Sequence, residues 1–375
     1  MRRAILASVT LFLCLSLVSC GRVSKALSSK SRADEWLRYY EHADDPAFLE
    51  SELKKKPGNE TILGFLMFYY DGKHPDRAKL REFSLQMVKH HPGSHDLNFH
   101  TSGTRYRYPK FRKELIAALE AQIPSHPKEA GLHWNLAEIC ERAAIPPFPK
   151  DASQERRAKW FRYHGLPPTT PIPTEIDRAA AAQSEAYYRK AVALAMGDRF
   201  YYSFYSRGLA ELLAKLSRVE EAIAVYEDAA KSTDPEYAVD SHLSLARIYA
   251  ERKQYAKAKE HCLIAIRDDN EEDPGKGHVT DEAYTGLGLI ALEEGDVKEA
   301  ERCLLAAANE AEPCCHNTTQ GMPLKLAEAL IAKGRTEAPR EYLRIVLKKF
   351  TPHDAGAKAL LARVDRMPAK GKATP

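Results

Sequence analysis

Small and apolar residues recur in the C-terminal half of the chain at fixed offsets. Leu209-Ala210 is followed, twelve residues after Ala210, by Ala222, and then by Tyr226 and Ala229. Leu245-Ala246, Ala258, Cys262 and Ala265 repeat those offsets, as do Leu287-Gly288, Ala300, Leu304 and Ala307. Leu326-Ala327 continues the series, with Gly334 as a turn and Leu343 and Val346 behind it. Steps of three and four residues within each set predict amphipathic helices. The twelve-residue offset between small residues predicts antiparallel helix pairs in close contact, because two helices approach closely only where a side chain is small.

Upstream, Leu132-His133-Trp134-Asn135-Leu136-Ala137 reads as another first helix, but its partner appears late, at Ser184, Tyr188 and Ala191. Ala137 and Ala210 are 73 residues apart, whereas the later units follow at 36, 42 and 39 residues. The excess is an insertion over residues 143–177 that holds seven of the 22 prolines, with Arg156-Arg157-Ala158-Lys159-Trp160-Phe161-Arg162-Tyr163 between them. An exposed aromatic arm is costly unless used, so this one is expected to be pinned on its own fold, burying Trp160 and Phe161. Nearer the N-terminus, Pro57, Pro92 and Pro127 stand 35 residues apart, each after a stretch ending in Lys or His. Cations suit a helix C-terminus, and proline commonly follows one because it cannot continue the helix. Residues 33–142 therefore read as degenerate helical hairpins, although Asp96 to Pro109 is too short and polar for a full helix. Residues 178–366 read as regular repeats, with Ala355 to Met367 as an amphipathic helix closing the open end and 367–375 as a disordered, frayed tail.

The offsets over 203–347, and less regularly over 130–196, resemble those of the tetratricopeptide repeat, a helix–turn–helix unit of about 34 residues. The resemblance implies an all-α fold, an α-α superhelix whose first helices line a concave groove for protein partners. Carried over position by position, it puts Trp134, Glu138, Glu141 and Arg142 in that groove, then Phe204, Arg207, Glu211 and Lys215, then Arg247 and Glu251. This lining is mixed in charge and lacks the Lys/Asn set that clamps a terminal carboxylate in chaperone-binding members of the family. The partner implied is an extended or folded protein with charged and apolar features. Trp134 reads either as an interface anchor or as packing for the insertion beside it.

The first residues carry a different signal. Arg2 and Arg3 precede an uncharged run from Ala4 to Val18, about 15 residues and short of the roughly 20 that span a bilayer. That is the build of a secretory signal peptide over residues 1–19. The run ends Leu17-Val18-Ser19-Cys20-Gly21, which resembles the lipobox of bacterial lipoproteins. The resemblance implies cleavage before Cys20, a diacylglycerol on its sulfur and an acyl chain on its new amine. More than one chain is needed for stable anchoring, and this arrangement supplies it. Residues 20–32, rich in Ser and Lys, read as a flexible tether. The expected location is a cell membrane, with the protein facing the periplasm or the exterior, in the outer membrane if the cell has two.

Composition narrows the rest. The 375 residues are 44% apolar and 29% charged, enough for a folded core. A mean hydropathy of −0.47 excludes a polytopic membrane protein. The net charge of +4 falls to +2 without Arg2 and Arg3, so no nucleic-acid partner is expected. Beyond Cys14 and Cys20 there remain Cys140, Cys262, Cys303, Cys314 and Cys315, with no C-x-x-C pattern. Cys314 or Cys315 is able to pair with Cys303 or Cys262, and spacing does not decide which. His90, His91, His95 and His100 surround Pro92-Gly93 and read as a solvated helix end rather than a metal site. Cys140, seven residues after His133, reads as a core position. No nucleophile elbow, zinc-protease motif, phosphate loop or nucleotide fingerprint occurs. No catalytic residue, cofactor, metal or small-molecule substrate is expected. The resulting expectation is a membrane-anchored protein–protein scaffold of the cell envelope. The alternative is an exported enzyme, or enzyme accessory, with its site in the insertion or the N-terminal half.

Overall fold

The computed structural model describes residues 36–73, 75–97, 109–146, 174–231, 235–269, 279–311, 323–350 and 354–367, with residues 153, 154, 157, 158 and 161 of the insertion. The expected signal segment 1–19, Cys20, the expected tether 20–32, His100, Trp160, Cys314, Cys315 and residues 368–375 lie outside the described residues. The chain divides into two compact units, with the boundary between Val225 and Tyr226. Among the described residues every regular element is helical.

The first unit contains α1 (Pro46–Lys55), α2 (Glu60–Phe68), α3 (Arg77–His90), α4 (Pro109–Glu120), α5 (Ala130–Ala144), α6 (Arg178–Ala195) and α7 (Arg199–Lys215). A π-helical turn, Tyr69–Lys73, extends α2. Short polar side chains start these helices. The carboxylates of Asp45, Asp76, Asp177 and Asp198 and the amide oxygen of Asn59 each accept a bond from a first-turn N–H. Each helix packs on the next, from α1 on α2 through to α6 on α7. The core of α1–α5 is large and aliphatic, built on Leu49, Leu63, Met67, Phe83, Met87, Leu115 and Leu132.

Turns stack on turns in this unit. Pro57 and Pro92 directly follow the C-caps of α1 and α3, Lys56 and His91. The ring Nε2 of His91 lies 2.6 Å from the carbonyl oxygen of Gly58. The Pro92 turn is held in turn by α5. Asn135 donates from Nδ2 to the carbonyls of Pro92 and Ser94, both at 2.9 Å. The proline spacing thus marks successive turns that touch in space. Pro127 lies further from its helix, after a run of turns that follows Glu120.

Helix α8 (Val219–Ala229) crosses the boundary. The second unit continues with α9 (Pro235–Glu251), α10 (Tyr255–Asp269), α11 (Thr280–Glu293), α12 (Val297–Asn309), α13 (Lys325–Ala332), α14 (Glu337–Lys349) and α15 (Ala355–Asp365). Here α9 packs on α10, α11 on α12 and α14 on α15, while α10 packs on α11 and α12 on both α13 and α14. The small residues named from the sequence are all buried, among them Ala246, Ala258, Ala265, Ala300, Ala307 and Ala327. At Gly288 the approach is closest, since a Cβ there would lie 2.3 Å from Leu326 Cδ2 and 3.1 Å from Cys303 Cβ. Pro339 stands in the first turn of α14, where its missing N–H costs nothing.

One turn geometry recurs four times. Ser217, Lys253, Gly295 and Gly334 have φ of 62°, 58°, 85° and 74°. After each, the next residue donates its N–H five positions back: Arg218 to Leu213, Gln254 to Tyr249, Asp296 to Ala291 and Arg335 to Leu330. This is a left-handed helix stop that reverses the chain in a few residues. After Lys253, Gly295 and Gly334 it folds α10 back on α9, α12 on α11 and α14 on α13.

Candidate functional site

Within the first unit the candidate groove residues fall into two clusters. The first is aromatic. The indole of Trp134 on α5 is only 8% exposed. It stacks on the His95 ring at 4.6 Å and meets Phe204 of α7 at 5.0 Å and Tyr205 at 6.0 Å. His95 Nε2 and the Tyr205 hydroxyl are 3.2 Å apart. Trp134 is therefore walled in by rings from 95 and from α7, of which His95 and Phe204 are half-buried. The Arg207 guanidinium lies 5.5 Å above the Phe204 ring and 3.9 Å from Glu211. Carboxylates approach the turn beneath: Asp96 packs against Gly64 and Glu129 against Gly93. Burial, with Glu60 nearby, pushes the Asp96 carboxyl up to about 6.

The second cluster is polar. The Tyr188 hydroxyl on α6 lies 2.8 Å from Glu141 and 3.0 Å from Glu138. A phenol has one proton to donate, so two carboxylates compete for one donor. Arg142 answers Glu138 through Nη2 at 2.6 Å, and Lys215 of α7 reaches Glu141 at 2.6 Å. Burial raises Glu141 above the ordinary carboxylate range, and it drives the Tyr188 hydroxyl further up. Ser184, one turn before Tyr188, donates to the Ala137 carbonyl at 2.8 Å. The network ties α5, α6 and α7 together and leaves the Lys215 side chain 46% exposed.

Arg247 and Glu251 sit on α9 in the second unit, and both are exposed. The candidate set thus divides: Lys215, Arg247 and Glu251 are exposed, Glu138, Phe204, Arg207 and Glu211 are half-buried, and Trp134 is buried. Sequence reasoning named Tyr188 as a packing residue and left out its bridging of two carboxylates. It placed His95 in a solvated helix end, but the ring is part of the aromatic cluster.

Burial also decides the chemistry of the thiols. It pushes Cys140, Cys262 and Cys303 each up to about 12, so at neutral pH they are protonated and poor nucleophiles. All three are buried and unbridged. Of the two rings expected to be buried in the insertion, Phe161 is buried, and Trp160 lies outside the described residues. Among the described residues no group of three or more His, Cys, Asp or Glu converges as a metal site.

Comparison with known proteins fits the repeat pattern. The family model described as tetratricopeptide repeat matches residues 207–275, from α7 through α10. Residues 207–275 are thus similar to a tetratricopeptide-repeat segment, and the described residues of the two units are all-α with stacked helix pairs. No curated protein matches the sequence. Among solved structures, BtubC (BKLC) from P. vanneervenii is 15% identical, with a TM-score of 0.42 over 73% of this chain and 94% of that one. A chain of the APC/C hetero-tetramer Cut9-Hcn1 is 14% identical, with a TM-score of 0.37 over 86% of this chain and 52% of that one.

Proposed function

We propose that this protein is an exported lipoprotein, held to a bacterial envelope membrane through lipid on Cys20, whose repeat surface binds a protein partner. The observation that carries the binding role is the tetratricopeptide match over 207–275, on a chain whose helix pairs stack through small residues. Repeats of this kind turn a series of helix faces into one extended surface, which suits recognition rather than turnover. The anchoring role rests on the sequence Leu17-Val18-Ser19-Cys20 after an uncharged run. No described helix is long and apolar enough to cross a membrane. Each buried CH₂ of an acyl chain contributes about 0.8 kcal/mol, so a multiply acylated Cys20 holds the chain to a bilayer without a spanning helix. Charge is mixed within each unit, with Arg207, Glu211 and Lys215 in the first and Arg247 and Glu251 in the second, which suits a partner bearing both signs of charge.

Two measurements test this. Mass spectrometry of the N-terminal peptide is expected to show a diacylglyceryl thioether on Cys20, and Cys20→Ser to move the protein out of the membrane fraction. An unmodified thiol on a membrane-bound protein would sink the anchoring role. A crosslinked pull-down from native membranes, wild type beside Arg207→Glu with Arg247→Glu, is expected to lose one partner in the variant while the helical circular dichroism stays. Recovery of the same partners from both would remove the groove from the proposal.

A further inference from the structure

Two histidines of the matched repeat segment face each other across one helix pair. His242 on α9 and His261 on α10 bring their Nδ1 atoms to 2.8 Å, with ring centroids 5.1 Å apart. Both rings are half-buried. The Tyr249 ring lies 5.5 Å from that of His261, within 6° of parallel, and its hydroxyl donates to Glu227 of α8 at 3.1 Å. Lys257 sits 5.0 Å over the same Tyr249 ring. The two imidazoles are thus held by stacking on one side and by each other.

A contact between two ring nitrogens at this distance is a hydrogen bond only if one Nδ1 carries hydrogen and the other is bare. The tautomers are therefore opposite. A first proton is able to land on the far Nε2 of the donor ring, which keeps the bond and makes it charge-assisted. A second proton has only the bare Nδ1 to take. It replaces the lone pair that accepts the bond and sets two cations in contact. Among the described residues no third His, Cys, Asp or Glu converges on the pair.

We infer that His242 and His261 form an acid-sensitive latch that closes the α9–α10 hairpin at neutral pH and releases it when both rings are protonated. The charges around it are mixed. Asp268, Arg267 and Glu260 of α10 act on His242, while Glu260 and Lys257 of α10 and Glu227 of α8 act on His261. The balance is set by burial, which lowers both rings below the ordinary histidine value of 6.5, and for His242 next by His261 itself. The sign follows. The unfolded rings bind protons first, so the latch contributes fully above about pH 6.5 and is lost as pH falls through the lowered values of the folded rings. Arg247 and Glu251 ride on the same α9, so an open latch also disturbs the proposed partner surface. That consequence rests on the scaffold reading, but the latch does not.

The test uses the full chain and no partner. In ¹⁵N-histidine NMR at about pH 8, one of the two rings is expected to carry hydrogen on Nδ1 and the other to be bare there. Hydrogen exchange, corrected for its intrinsic pH dependence, is expected to quicken in α9 and α10 as pH falls from about 8 to about 5. Each extra proton taken up raises the opening equilibrium about tenfold per pH unit within the window. His242→Asn, whose amide stands near the Nδ1 position and does not titrate, is expected to keep the helices and to weaken the acid response from that of two protons to that of the one His261 takes up. The latch is overturned if both rings share one tautomer, if α9 and α10 keep their protection in acid, or if a folded His242→Asn responds as wild type does. Should His242→Asn fail to fold, the wild-type tautomers and exchange decide alone.

Discussion

The two units build the same kind of helix stack by different means. In the second unit small side chains let the helices close: Ala246 and Ala258, then Gly288 and Ala300, are buried where the pairs meet. In the first unit the corresponding space between α1 and α5 is filled by Leu, Met and Phe, and polar bonds set the register between turns. His91 holds the Gly58 turn, and Asn135 holds the Pro92 turn. A contact made by a methyl group tolerates small adjustments, but a buried bond to a backbone carbonyl does not. The half that departs from the repeat pattern is thus the half in which single positions are less replaceable.

Asn135→Leu is the strongest way to break that contrast. It leaves the carbonyls of Pro92 and Ser94 without the bonds that a fully buried amide now donates. A loss of about 3 kcal/mol in urea unfolding is expected, with the slope unchanged. A loss under about 1 kcal/mol would show that the turn is held by packing alone.

Gly131→Ala and Gly288→Ala sharpen it. A Cβ at Gly131 would lie 2.3 Å from the Gly93 carbonyl oxygen, which is backbone. At Gly288 the nearest atom, also at 2.3 Å, is the side-chain tip of Leu326 rather than backbone. Gly131→Ala is expected to cost about 2 kcal/mol and Gly288→Ala about half that, measured in parallel denaturation curves. Equal costs would erase the distinction between the units.

His133→Leu runs the other way. The ring is 4% exposed, and neither of its nitrogens has a hydrogen-bond partner. Burial, then Lys190, lowers its pKa below 6.5, so wild type loses stability as pH falls through that value toward the folded pKa. Leucine is expected to add about 1 kcal/mol at neutral pH and more in acid, seen as a rise in Tm that widens as pH drops. The smallest effect belongs to the surface. Arg335, paired with Glu301 across repeats at 2.7 Å but half-exposed, should leave Tm unchanged when replaced by alanine.

Much of the second unit was legible in the chain. The offsets linking Ala246, Ala258, Cys262 and Ala265 are local, and each small residue on a helix face records a close neighbour. The same rule found Ser184, Tyr188 and Ala191 across the insertion, and α5 and α6 do pair. The 35-residue proline spacing located turns that touch, but not the bonds between them. Trp134 stood in register for an exposed anchor, yet its indole is covered by His95 and α7. Its burial depends on a ring 39 positions away that carries no helical period of its own.

By itself, then, the sequence determined the all-α class, the helix pairing and the turn positions, because these rest on periodicity and side-chain size within a few dozen residues. It also holds the lipobox-like segment as a linear signal. The tertiary structure alone decided which polar groups meet: Glu141 with Lys215 of α7, Asn135 with the Pro92 turn, His242 with His261. Such pairs depend on stacking geometry to within an ångström or so, and a hydrogen bond has no period that a chain of letters can display.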